Sequence, residues 1–197
     1  MSYDIKLVDR ETKKPYKIDK QIVDSGVIEV KEYNGILIPN EEVDAYINIT
    51  YNYADWYYLA FDRGERYYNS IRDMSYVPDY ADTDREGRGY GIRSIYGMTG
   101  ERSIVELDYV IEKLEDGKWH PEFDITEDDL VEDYIDRVNE WNSLPEEEKR
   151  YLADMKIVPT KYELDDYYTS TRSNALKPLY QLKRLAEMIP EGIWMGD

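Results

Sequence analysis

The fifteen residues from Ile47 to Phe61, INITYNYADWYYLAF, constrain this chain most, because two periodicities meet inside them. Ile47 and Ile49 alternate with Asn48 and Thr50, as in a strand with one buried face. From Tyr53 onward the apolar groups recur at helical spacing, in Tyr53, Trp56, Tyr57, Ala60 and Phe61. The stretch therefore predicts a strand running into an amphipathic helix, with Asn52 placed to cap it. It is also crowded with hydroxyls and amides on core-sized rings, which either line a polar pocket or satisfy one another.

Around this junction the chain divides into an N-terminal β-rich part and a helical remainder. Tyr3, Ile5 and Leu7 alternate with Asp4 and Lys6 as a first strand, and Asp9 to Pro15 carries turn chemistry. Val27 to Lys31 reads as a further strand. Asn34-Gly35 is a two-residue hairpin signal, since both positions tolerate positive φ, and it would lead into Ile36-Leu37-Ile38. The expected fold class is α+β: an N-terminal antiparallel sheet of about three to five strands, simplest as a meander, packed against about four or five helices. A single domain spanning residues 1–197 is expected, with insertions at about 63–88 and 118–161, where helical periodicity is lost or charge dominates.

Three helices are well marked. Thr99 can cap one whose apolar face holds Ile104, Leu107, Ile111 and Leu114, with Glu101, Glu106, Asp108 and Glu112 on its other faces. Thr126 with Asp129 suggests a cap ahead of Leu130, Tyr134, Val138 and Trp141, and Pro145 opens a shorter helix over Glu146 to Lys156. Thr171 or Ser173 can cap a last helix carrying Leu176, Leu179, Leu182, Leu185, Ala186 and Met188, in which Pro178 is placed in the first turn. Ile193-Trp194 is expected to fold back on the core.

Charge bounds the function. The chain has 43 acidic and 25 basic residues, a net charge of −18, and no long apolar run. Such a field opposes direct binding of nucleic acid or anionic membranes. The absence of cysteine removes disulfides, thiolate nucleophiles and zinc–thiolate sites. The start, Met-Ser-Tyr-Asp-Ile-Lys, lacks the basic and apolar segments of a signal peptide, so a cytoplasmic protein is expected. The only histidine, His120, sits in a loop with no partner at a recognisable spacing and reads as a surface residue.

Metal and anion motifs are fragmentary. Asp82, Asp84 and Glu86 alternate before Gly87 as in the first half of a calcium loop. The twelfth position is Arg93, however, and the eighth is Gly89, so a solvated acidic turn is the preferred reading. The glycine-punctuated Gly91–Gly100 segment precedes a helix, as phosphate cradles do, with Arg93 as its charge, yet it matches neither a Walker loop nor a dinucleotide fingerprint. No cofactor is expected.

Two binding readings remain. In the first, carboxylates on the acidic block, Asp128, Asp129, Glu132, Asp133, Asp136, Glu140, Glu146 and Glu147, form a negative ridge. With the 21 tyrosines as amphipathic anchors, that ridge imitates a nucleic-acid surface toward a protein partner. In the second, Asn48, Thr50, Tyr51, Asn52, Arg93, Thr171 and Asn174 converge on a pocket for a small polar, nucleotide-like ligand. Catalysis is not expected, because no nucleophile, base or metal cluster stands at a recognisable spacing.

Three blocks, Asn48 to Tyr53, Gly91 to Thr99, and Tyr167-Tyr168 through Asn174-Ala175 to Gly192–Asp197, resemble a family of small uncharacterised proteins encoded by phages and prophages. The resemblance covers about half of the chain and leaves out the two segments read as insertions. It implies a phage context and no particular chemistry. A host protein as partner, in the host cytoplasm, is the expectation it adds, and an assembly partner within the phage programme is a further alternative.

Overall fold

The computed structural model describes residues 2–19, 42–79, 90–119 and 121–196. Five strands are β1 (Ser2–Val8), β2 (Lys17–Asp19), β3 (Glu42–Asp44), β4 (Tyr46–Thr50) and β5 (Ile193–Gly196). The helices are α1 (Ala54–Ala60), α2 (Glu65–Ile71), α3 (Gly100–Glu115), α4 (Glu127–Ser143), α5 (Glu146–Asp154) and α6 (Arg172–Met188). Short 3-10 turns cover Tyr51–Tyr53, Met74–Tyr76 and Gly91–Ile95. The class is α+β, as the patterning implies.

Alternation in β1 sends Tyr3, Ile5 and Leu7 into the core, and the strand pairs antiparallel on both sides. The order is β4-β1-β5, with Ile5 opposite Ile47 and Leu7 opposite Trp194. The third strand is therefore not the next one along the chain, as in a simple meander, but the distant Ile193–Gly196. Its two leading residues are fully buried, and that burial outweighs the loop-closure entropy of a long-range pairing. The short pair β2–β3 stands beside this sheet. The hairpin expected at Asn34-Gly35, the strands at Val27–Lys31 and Ile36–Ile38, and the acidic turn at Asp82, Asp84 and Glu86 lie outside the described residues.

Helices α3 and α6 pack lengthwise against each other and carry much of the core, with Leu107, Val110 and Leu114 meeting Leu179, Leu182 and Leu185 in one cluster. Each such leucine contributes about 1.5–3 kcal/mol relative to exposure. Trp56, Tyr57 and Ala60 of α1 are buried, as the helical spacing requires. Asn52 is not the cap of this segment. Thr50, in extended backbone, accepts the Asn52 N–H on Oγ1 at 3.3 Å and opens the 3-10 turn that leads into α1. Two turns of helix, α2, occupy part of the segment that reads as aperiodic, and they bury Tyr68. Pro178 stands seven residues into α6 because Thr171 caps it and Arg172 is already helical. Proline supplies no N–H to the preceding turn. The carbonyl that loses its helical donor is that of Asn174; one residue on, the Tyr57 hydroxyl donates to the Ala175 carbonyl at 3.1 Å.

The cap expected at the start of α4 is a full capping box, in which Thr126 Oγ1 accepts the Asp129 N–H at 3.3 Å and Asp129 Oδ2 accepts the Thr126 N–H at 2.8 Å. The Thr126 hydroxyl and then its N–H hold the Asp129 carboxyl below its ordinary value. A carboxyl depressed in the folded state stabilises above its unfolded pKa and loses that contribution as pH falls through the folded one. Thr126→Ala should cost about 1 kcal/mol at neutral pH in urea denaturation, and the difference from the parent should shrink as pH falls through the carboxylate range and the Asp129 carboxylate takes up its proton. A penalty that does not vary with pH would mean that the carboxylate contributes nothing.

Candidate functional site

The polar groups of the strand-to-helix junction converge on one partner, the backbone of residues 164–175. Asn52 Nδ2 donates to the Tyr168 carbonyl at 2.7 Å, the Tyr53 hydroxyl to that of Tyr167, and Trp56 Nε1 to that of Ser170 at 3.2 Å. In return the Tyr167 hydroxyl donates to the Asn48 carbonyl at 3.2 Å and the Ser170 hydroxyl to the Asn52 carbonyl at 2.6 Å. Asn174, almost fully buried, spans the carbonyls of Leu164, Asp166 and Thr169 at 2.9–3.0 Å and accepts from Lys177 Nζ at 2.8 Å. Burial holds the phenol protons of Tyr53 and Tyr57 in place by pushing both groups up from their ordinary value. The junction is thus a hydrogen-bonded seam: of the two readings left open by the sequence, mutual satisfaction accounts for most of these groups.

The other candidate pocket residues separate. Asn48 is exposed on β4 and donates to Ser2 Oγ at 2.8 Å and Asp4 Oδ1 at 2.5 Å. The Tyr46 hydroxyl and the Asn48 amide hold the Asp4 carboxyl below its ordinary range. Thr50 and Thr171 act as caps. Arg93 is buried under the sheet, with Nη2 donating to the Tyr51 hydroxyl at 2.8 Å and its guanidinium over the Tyr3 ring at 5.1 Å. Tyr51 and Arg93 therefore meet each other, away from Asn52, Thr171 and Asn174.

The glycine-punctuated loop is buried from Tyr90 to Met98. Its amides serve the fold. The Gly97 N–H donates to the Trp194 carbonyl at 2.9 Å, Gly100 to Gly192 at 2.8 Å, Glu101 to Pro190 at 2.9 Å and Arg102 to Thr99 Oγ1 at 3.2 Å. Gly97 has φ +79°, and a Cβ there would run into the Asp73 carbonyl. These N–H groups are committed to the chain itself, so the anion cradle suggested by the glycine spacing has lost its donors.

Open space lies on the other side of the seam. A cleft of about 730 Å³ runs along the start of α6, where Thr171 and Asn174 are joined by Arg172, Lys177, Asp124 and Glu115. A second cavity of about 440 Å³ sits between the start of α4 and residues 162–169, and Ile125 borders both. Beyond them α4 and α5 carry the acidic block. Asp128, Asp129, Glu132, Asp133, Asp136, Glu140, Glu146 and Glu147 are all exposed. Three are engaged locally: Asp129 in the cap, Asp133 with Arg137 at 2.8 Å and Glu146 with Lys149 at 3.0 Å. Leu130 is the one buried residue of α4, and α5 has none. Val131, Ile135, Tyr151, Met155, Ile157, Val158 and Tyr168 are left in solvent among the carboxylates.

One charged residue goes against the sequence reading. Glu106, expected on an outer face of α3, is completely buried, with Oε2 3.5 Å from Arg63 Nε and Oε1 accepting from the Tyr67 hydroxyl. Burial, and then the hydrogen bond to Glu106, pushes the Tyr67 phenol up. Arg63 in turn stacks on Tyr109, 4.0 Å from its ring centre. The spacing Ser103, Glu106, Leu107, Val110 could have placed Glu106 on the inner face. The rule that keeps charge outside argues otherwise, and the ion pair with Arg63 together with the Tyr67 hydroxyl offsets part of the cost on which that rule depends.

No family model, curated protein or solved structure matches the chain. Among the described residues no three acidic or histidine side chains gather as a metal site, and no helix is long and apolar enough to cross a membrane.

Proposed function

We propose that the protein is a phage-type accessory factor that acts by stoichiometric, non-catalytic binding of a basic protein surface of its host, and that the α4–α5 face makes the contact. The observation that carries this reading is the composition of that face. Between residues 127 and 168 there are 14 carboxylates and 5 basic side chains. Exposed apolar and tyrosyl side chains stand among them where the core beneath is thin. Carboxylates steer and orient a cationic partner, and the desolvated rings supply the area that holds it. A partner that ordinarily grips nucleic acid offers the matching basic channel.

The test is capture from host lysate at graded salt. Asp128→Asn, Glu132→Gln, Asp136→Asn, Glu140→Gln and Glu147→Gln combined neutralise the ridge without touching the cap or the two ion pairs. This variant is expected to lose capture by about tenfold or more, and the parent complex is expected to release as salt rises and screens its charges. A partner held equally by both proteins at high salt would overturn the reading.

The 730 Å³ cleft supports a second reading, a site for a small polar ligand, because it brings Thr171 and Asn174 beside Arg172 and Lys177. Arg93 lines neither cavity. Mass spectrometry of the denatured protein for a co-purifying small molecule decides between them.

A further inference from the structure

We propose that the 440 Å³ cavity at the start of α4 is a receptor for one arginine side chain of the partner; this rests on the protein-binding reading above and specifies what that partner inserts. Four features define the occupant. The first is size: at about 440 Å³ the cavity lies near the small end of the about 300 to 1,000 Å³ range of ligand sites, and it admits a long side chain with room for water beside it. The second is charge. Asp129 and Asp133 border the cavity, and the internal contacts of both fall on Oδ2, to Thr126 and to Arg137. Among the described residues no contact falls on Oδ1 of either carboxylate, which can accept from an incoming cation.

The third feature is aromatic. Tyr162 and Tyr168 line the cavity, and Tyr168 is 67% exposed. The fourth is a neutral acceptor. Asn52 spends its NH₂ on the Tyr168 carbonyl, which turns its Oδ1 into a further acceptor for a guanidinium edge. A planar guanidinium satisfies all four, stacking on a phenol face while its fork addresses carboxylate and amide oxygens. The protein already uses this chemistry on the same wall, where Arg137 lies over the Tyr162 ring at 4.2 Å and pairs with Asp133 Oδ2, which leaves the Tyr168 ring and Asp129 as the principal groups for an incoming guanidinium. An anion is repelled by the two carboxylates, and a neutral apolar group would strip them of water without compensation.

The experiment is an amide chemical-shift titration of the full chain with N-acetyl-arginine amide and its neutral isostere N-acetyl-citrulline amide. Saturable shifts are expected at Asn52, Asp133, Tyr162 and Tyr168 with the arginine probe and not with citrulline. Tyr168→Ala should weaken binding by about fivefold or more through loss of the ring face. Asp133→Asn should weaken it as well, and either variant suffices if the other perturbs the spectrum as a whole. Equal binding of the two probes, shifts confined to other regions, or unchanged affinity in a folded variant would overturn the receptor. The ridge-neutral protein separates the two ideas, because it should lose capture of the partner while keeping the arginine probe. Capture retained with no arginine binding overturns the receptor alone.

Discussion

Replacing Trp194 by alanine is expected to destabilise the protein by about 3–5 kcal/mol, the cost of emptying a buried aromatic site. Trp194 is fully buried in the edge strand β5, opposite Leu7 of the central strand. Its N–H donates to the Met98 carbonyl at 3.0 Å and its carbonyl accepts from Gly97, so the residue joins the sheet to the buried loop ahead of α3. Its indole Nε1 donates to Ser103 Oγ at 2.7 Å, and that hydroxyl passes the bond on to the Gly100 carbonyl at 2.8 Å. Domains are held by about 5–15 kcal/mol in all, so this one substitution removes a large share. Urea denaturation followed by circular dichroism gives the number. Trp194→Phe retains most of the area and loses only the indole donor, and should cost about 1–2 kcal/mol. If alanine costs no more than phenylalanine, packing is not what fixes β5 to the core.

The second large effect concerns Arg63, and its sign inverts the usual ranking of exposed and buried residues. The Arg63 side chain is one-third exposed, while that of Glu106 is wholly buried. Arg63→Ala strands a carboxylate in the core, and removing one partner of a buried pair costs about 3–5 kcal/mol. The lower end is expected, since the Tyr67 hydroxyl still donates to Glu106. Glu106→Gln removes the charge itself, keeps the shape and lets Arg63 turn to water, for about 1–2 kcal/mol. The double variant should be more stable than Arg63→Ala alone, which a double-mutant cycle reads directly. Should the two single variants cost the same, the carboxylate does not depend on that guanidinium.

Local signals carried the fold class and most helices. The alternation of Tyr3, Ile5 and Leu7, the helical recurrence from Tyr53 to Phe61, and the caps at Thr99, Thr126 and Thr171 are each encoded within a few residues, and each is present. Strand order was less accessible, because β5 reaches β1 from the far end of the chain and nothing in either segment names the other. The same holds for the polar residues. Asn52, Tyr53 and Asn174 look alike whether they meet a ligand or a distant backbone carbonyl, and only the fold decides between the two. Charge alone points Arg93 toward a ligand pocket and Glu106 toward solvent. Each instead has a tyrosine hydroxyl within the protein. The exposure of the acidic face, in contrast, followed from its composition, since too few apolar residues there could have covered it.

The seam between residues 48–57 and 164–175 has a genetic consequence. Asn52, Tyr53, Trp56 and Tyr57 act through their side chains, but what they recognise on the facing strip is main-chain oxygen, which every amino acid possesses. Positions such as Leu164 and Tyr168 can therefore drift in sequence without breaking a single one of these bonds, while the donors cannot. Variation is expected to accumulate at such positions and to stall at the donors, which include Tyr167, Ser170 and Asn174 on the strip itself.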